Sequence, residues 1–245
     1  MKRRIAFWNI LVKDLRTYYL KPPNISWGLL FPVAWTGMFF IRSGRGMESI
    51  PEMLPGLISI SVLFGTTSML SVAVTFERKN RSFERLLLSP IPFSHLILAK
   101  TSGAIFFGSI NALVPLVLAF IFGDISGIYW SLVIPALFLI AVSSTFLSLF
   151  IAVTVTEVFE AQTSSNFFRF PMIFLCGLFF PVERLPFFLK PLSYALPLTY
   201  GADILRGGIT GSNIMPLWAD FTAITIFCIA LFLTSMTLIS RKWIT

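Results

Sequence analysis

Residues 54–76 read L-P-G-L-I-S-I-S-V-L-F-G-T-T-S-M-L-S-V-A-V-T-F, and residues 77–81 continue E-R-K-N-R. The first run carries no charge and is broken only by small or hydroxylated residues and one proline. A helix needs about 20 such residues to cross the hydrocarbon of a bilayer. The apolar residues are continuous rather than alternating, which excludes the strand pattern of a membrane barrel. The abrupt charge after Phe76 marks an exit from lipid. One such segment sets the fold class: an all-α integral membrane protein.

Five more stretches of the same kind flank it, at 25–41, 96–122, 129–156, 159–180 and 217–239, giving six expected transmembrane helices in one transmembrane domain, 1–245. Composition agrees. Of 245 residues 56% are hydrophobic and 12% are charged, against about 25% charged in an ordinary soluble domain. Mean hydropathy is +0.84. A soluble globular domain, a disordered chain and a disulfide scaffold are excluded. Cys176 and Cys228 fall inside apolar stretches and read as buried free thiols. Near the N-terminus, Lys13, Asp14 and Arg16 break the apolar patch and no small-x-small site follows, so a cleaved signal peptide is not expected.

The net charge is +8, but the basic residues cluster between apolar runs, so the surplus points to membrane topology rather than nucleic acid. Of the 19 Lys and Arg, 14 fall on one side if Arg169 is counted there, and five on the other. The larger group includes Lys2, Arg3, Arg4, Arg78, Lys79, Arg81, Arg241 and Lys242. The expectation is a multi-pass protein of the cell membrane with both termini cytoplasmic. The loop between the fourth and fifth spans fits least well, since it holds Glu157 and Glu160 with no cation before Arg169.

Three segments are not simple spans. In residues 1–23, Ile5, Trp8, Val12, Leu15 and Tyr19 recur at helical steps, with Lys2, Asn9, Lys13 and Arg16 opposite. This predicts an amphipathic interface helix with Trp8 at headgroup depth and Lys13 and Arg16 toward the cytoplasm, or simply an anchor for the first span. Residues 77–95 predict a cytoplasmic loop with a short helix over 81–88. There Glu84 and Arg85 face water, Phe83, Leu86 and Leu87 pack inward, and Ser89-Pro90 stops the helix. Within residues 181–216, the stretch 185–198 is apolar enough to enter lipid, but Pro186, Pro191 and Pro197 forbid a regular span. A short re-entrant helical hairpin on the outer side fits.

Catalytic signatures are missing. The nearest approach to a phosphate loop, Gly103-x4-Gly108-Ser109, lacks the lysine and sits in the third span. His95 is the single histidine, so no His–His metal pair exists, and no G-x-S-x-G surrounds a serine. Ionisable or amide residues within spans carry the functional suspicion. Gln162, Asn166 and Arg169 lie at i, i+4 and i+7 on one face of the fifth span. With Ser68 of the second span and Ser144 of the fourth they are candidates for a translocation pathway. The same residues could bond helix to helix, and Arg169 could snorkel to the headgroups. Two other functions use these groups. One is a membrane-embedded lipid-modifying enzyme working through Arg169 with Glu157 or Glu160. The other is a proton-coupled secondary transporter, for which no acid stands clearly at mid-membrane.

Two motifs carry a resemblance. One is E-R-L-L-L-S-P at Glu84–Pro90, followed ten residues on by Lys100. The other combines G-L-F-F-P at Gly177–Pro181, Leu185-Pro186, and P-L-T-Y-G-A-D-I-L-R-G at Pro197–Gly207. Spaced as they are on a six-span chain, they resemble the membrane subunit of type 2 ATP-binding-cassette exporters, departing from that pattern where a glycine is often found at Asn80 or Arg81. The resemblance covers the whole chain. It implies a permease subunit working with a second permease copy, identical or not, and the spans' aromatic and aliphatic walls with few fixed charges favour an amphipathic, lipid-like or drug-like solute. It also implies a coupling helix, Glu84, Arg85, Leu87, Leu88, Ser89 and Pro90, that docks a separate cytoplasmic ATPase. ATP and Mg would then be bound by that ATPase, with no cofactor on this chain.

Overall fold

The computed structural model describes residues 2–21, 34, 37–38, 50–88, 91–122, 127–177 and 182–243. All regular structure among them is helical. The expected first span, 25–41, falls almost wholly outside the described residues, as do Ser89 and Pro90 and the side chains of Ser68 and Leu87.

Helix α1 (Lys2–Asp14) runs into a π-helical turn, Leu15–Tyr19. The long helices follow: α2 (Ile50–Lys79), then a short α3 (Ser82–Leu87), α4 (Phe93–Phe122), α5 (Trp130–Thr154) and α6 (Val158–Leu175). After a 3-10 turn, Val182–Arg184, come α7 (Lys190–Tyr194), α8 (Pro197–Thr210) and α9 (Leu217–Trp243). Four described helices are long and apolar enough to cross a membrane: α2, α4, α5 and α9. They correspond to the expected second, third, fourth and sixth spans.

The expected fifth span is corrected. Its helix is α6, 18 residues long, and it stops at Leu175 rather than at 180. Gly177, at φ +76°, turns the chain in the left-handed region where only glycine is unstrained. Glu160, Gln162, Asn166 and Arg169 dilute its apolar content, which keeps it out of the set of four. The third span begins at Phe93, earlier than expected, with the His95 amide donating to the Pro92 carbonyl at 2.9 Å. In the 181–216 region the prolines start helices instead of interrupting one. Pro197 takes the first position of α8, where a missing amide hydrogen costs nothing, and α8 is buried along most of its length.

Helix α2 is the centre of the bundle, packed against α4, α5, α6 and α8. Its hydroxyls show how a polar-speckled helix stays in lipid. Ser59, Ser61, Thr66, Thr67 and Ser71 each donate to a backbone carbonyl one turn back, at 2.5–3.0 Å, so none is left unsatisfied in an apolar medium. Ser148 of α5 reaches into α2. Its Oγ donates to the Thr67 carbonyl at 3.1 Å and accepts the Ser71 amide hydrogen at 2.9 Å. Ser71 and Ser165 of α6 meet hydroxyl to hydroxyl at 2.9 Å. These serines are interhelical bonds. Ser144 is also buried in this face of α5.

Helices α2 and α4 cross at Gly65 and Gly108. A Cβ on Gly108 would overlap the Thr66 methyl, and one on Gly65 would strike the Asn111 amide. Gly108 therefore belongs to a close backbone approach of the small-residue kind. Gly103, one and a half turns earlier, has only Tyr19 Cε2 at 3.8 Å from such a Cβ. Gly108→Ala is expected to lower stability in detergent by about 1–3 kcal/mol through overpacking. Gly103→Ala should be neutral or raise it by about 0.5–1 kcal/mol through helix propensity. Thermal unfolding of both variants checks the contrast, and equal effects would contradict the crossing.

Candidate functional site

Among the described residues, one end of the bundle collects five of the six ion pairs. Lys100, at the start of α4, has its side chain 1% exposed. It donates to Glu77 Oε2 of α2 at 2.5 Å and to Asp14 Oδ2 of α1 at 3.0 Å. Lys13 donates to the other Glu77 oxygen at 2.5 Å and lies 3.2 Å from Asp14 Oδ1. Two cations and two anions thus neutralise one another where three helices meet, and the buried charges are bonded as burial demands. Burial opposes the charge on Lys13, but the hydrogen bond to Glu77 and the two carboxylates outweigh it and hold its pKa above the ordinary ammonium value.

This corrects the reading of α1. Lys13 does not point simply to water: it is half-buried and turned to Glu77. Asp14 is buried beside it, and Ile10 and Tyr19 join the core. Ile5, Trp8 and Val12 are the exposed apolar residues, with Trp8 60% exposed, available to lipid as an interface helix requires. Arg16 sits in the π-helical turn.

The same end explains the acidic loop between α5 and α6. Glu157 caps α6 in a capping box with Glu160 and also pairs with Lys79 of α2 at 2.6 Å. Arg78 donates to the carbonyls of Ala152 and Val155, and Lys242 of α9 reaches the Val153 carbonyl at 3.5 Å. The end of α2, the end of α5, the start of α6 and the end of α9 therefore share one level with the four-charge cluster. The cations for that loop are supplied from elsewhere in the chain.

Directly after Glu77, the chain turns through Arg81 (φ +55°) into α3. Phe83 is 1% exposed and anchors α3 in the same core as Ile10, Tyr19 and Leu96. Leu86 is half-buried, while Glu84 and Arg85 are exposed. Leu88 is 86% exposed. An acid, a base and a bare leucine thus stand together on an element fixed from below.

On α6, Gln162 is exposed, Asn166 half-buried and Arg169 buried at 2% exposure. The guanidinium does not snorkel. Its Nε donates to Thr67 Oγ1 of α2 at 2.5 Å, and Nη1 donates to Asn166 Oδ1 at 2.9 Å. The Phe64 ring lies 4.8 Å away as a cation–π partner. Glu157 and Glu160 are committed to the α6 cap and Lys79, so they are not assembled with Arg169 into an enzyme site. No group of three or more His, Cys, Asp or Glu residues among the described residues could hold a metal. Cys176 and Cys228 are free and buried.

The motif at Pro197–Gly207 organises the opposite end. Asp203 accepts the amide hydrogens of Ile214 and Met215 at 2.9–3.0 Å. Arg206 binds the Gly177 carbonyl at the end of α6. These residues tie α8 to the turns on either side of it. The sequence missed the Asp14–Lys100 and Lys13–Glu77 pairs, whose partners lie 86 and 64 positions apart.

The ABC-2 type transporter family model matches residues 5–210. The chain is 27% identical to the inner membrane transport permease YadH of Escherichia coli K12, over 97% of this chain and 95% of the relative. It is 24% identical to the probable multidrug ABC transporter permease YbhR of the same organism, over 63% of this chain and 42% of that one. Nodulation protein J of Sinorhizobium fredii is 25% identical over 80% of this chain and 76% of its own.

Lys100→Met would leave Glu77 and Asp14 buried with less counter-charge, at a cost of about 3–5 kcal/mol. Lys13→Met removes a side chain 41% exposed and should cost about 1 kcal/mol or less. Chemical or thermal unfolding of the detergent-solubilised variants measures both. Equal losses would contradict a buried cluster centred on Lys100.

Proposed function

The chain belongs to the ABC-2 type transporter family, and from that premise we propose that it is a permease subunit driven by a separate cytoplasmic ATPase docking on α3. It is a multi-pass membrane protein of a family whose relatives above carry the names of transport permeases. In this reading the four-charge end faces the cytoplasm, with both termini there, following the excess of cations at that end. Two permease copies, identical or paired, surround the pathway. ATP and Mg belong to the partner, and closure of the ATPase shifts α2 and α4 through α3.

The observation that carries the proposal is the surface of α3. Leu88, 86% exposed beside Glu84 and Arg85, offers an apolar knob flanked by both charge signs, as protein docking uses. Phe83 and the Glu77 cluster beneath it make the element stiff enough to transmit a push. Leu87, Ser89 and Pro90 complete the proposed docking segment in sequence. The substrate class proposed is amphipathic, lipid-like or drug-like, because the spans supply aliphatic and aromatic walls with few fixed charges. Gln162, Asn166, Arg169, Ser68 and Ser144 are its proposed pathway residues, with Ser144 on the face where α5 bonds to α2.

Leu88→Asp and Glu84→Lys are expected to abolish co-purification of the partner ATPase and to lower ATP hydrolysis by the complex at least tenfold. Thermal stability of the permease should be unchanged, since both residues are exposed. Intact complex and hydrolysis in both variants would refute docking at α3.

A further inference from the structure

Resting on the permease reading, the inference concerns what the pathway selects. Arg169 lies at mid-depth. Its partner Thr67 is ten residues along α2 from Glu77, which at 1.5 Å per residue is about 15 Å, half of a hydrocarbon core about 30 Å thick. Along α6, Arg169 is twelve residues, about 18 Å, from the Glu157 cap by the same rise. A guanidinium at that depth needs a counter-charge or water. Among the described residues none of its ion pairs exists: the salt bridges involve Lys13, Lys79, Lys100 and Arg206 only. Its Nη2 is buried without a hydrogen-bond partner.

A second copy of the chain would not supply the missing charge. Every Asp and Glu in the sequence falls outside the apolar runs or within their first few residues. The hydrogen bonds that Arg169 does make are to a hydroxyl and an amide, which orient it but leave its charge uncancelled. Gln162, Asn166 and Arg169 descend from exposed to half-buried to buried along one face. They line one face of α6 down to the buried guanidinium, whose Nη2 has no hydrogen-bond partner and whose neighbour is the Phe64 ring at 4.8 Å.

We propose that Arg169 is the recognition group for an anionic amphiphile: a solute whose carboxylate, phosphate or sulfate pairs with the free Nη2 edge while its apolar part lies along Phe64 and the walls of α2 and α6. Thr67 and Asn166 are positioning residues that hold the guanidinium for it. A planar fork of donors suits a tetrahedral or carboxylate anion better than a neutral headgroup.

The test uses the complex with its co-purifying ATPase, in nanodiscs of phosphatidylcholine. Binding is measured for radiolabelled decyl phosphate, decyl maltoside, decyltrimethylammonium and inorganic phosphate. The wild-type complex is expected to bind decyl phosphate about tenfold or more tighter than the other three, equivalent to about 1.4 kcal/mol or more. Arg169→Gln should bind decyl phosphate no more tightly than decyl maltoside, and Arg169→Lys should retain most of the preference. Three results would overturn the assignment: no preference among the decyl compounds in the wild type, equal binding of inorganic phosphate, or full decyl phosphate affinity in Arg169→Gln. None of these touches the permease reading, which the ATPase co-purification decides separately.

Discussion

Lipid does not hydrogen-bond, and this constraint shapes the whole molecule. An amide, hydroxyl or charge removed from water is costly unless it finds a partner inside the protein, and among the described residues Arg169 Nη2 and Thr75 Oγ1 are among the few buried atoms that do not. On α2 the solution is repetitive: Ser59, Ser61, Thr66, Thr67 and Ser71 each bond back to their own helix. Ser148 adds a bond from α5 to both sides of one α2 turn, and Arg169 adds one from α6 to Thr67. With Gly65 set against Gly108, these bonds allow a helix rich in Ser, Thr and Gly to sit at the centre of the bundle, where a uniformly leucine-rich helix would approach its neighbours less closely.

The ion-paired charges gather at the two ends, away from Arg169, and each end does a different job. At one, Lys13, Asp14, Glu77 and Lys100 bind three helices into a neutral cluster. The cluster lies immediately under α3, with Phe83 as the bridge. A force applied to the exposed Glu84, Arg85 and Leu88 therefore meets α2 and α4 through packed and ionic contacts rather than through a slack loop. At the other end, Asp203 and Arg206 fasten α8 to its flanking turns, so that α8 is held between α5 and α9.

Much of this was legible in one dimension. Continuous apolar runs announce long helices because lipid asks only for length and composition, and four of the described helices meet that demand. The short element around Glu84 was legible from its charge and its flanking proline, and the i, i+4, i+7 alignment of Gln162, Asn166 and Arg169 from helical geometry. What stayed hidden was long-range pairing. Asp14 reads in the sequence as an interruption of an apolar patch, and Lys100 as a lysine after a loop; only the fold brings them together. The fifth span misled because residues 176–180 are apolar, while the helix is ended by the backbone freedom of Gly177. The loop holding Glu157 looked poor in cations because Lys79 and Arg78 reach it from α2.

The central claim is that this chain holds the path while another chain holds the motor, joined at α3. The most direct measurement is movement of a fluorescent amphiphile across proteoliposomes prepared with and without the co-purifying ATPase, each with and without ATP. The account predicts movement only where ATPase and ATP are both present. Movement at an undiminished rate without the ATPase would contradict it.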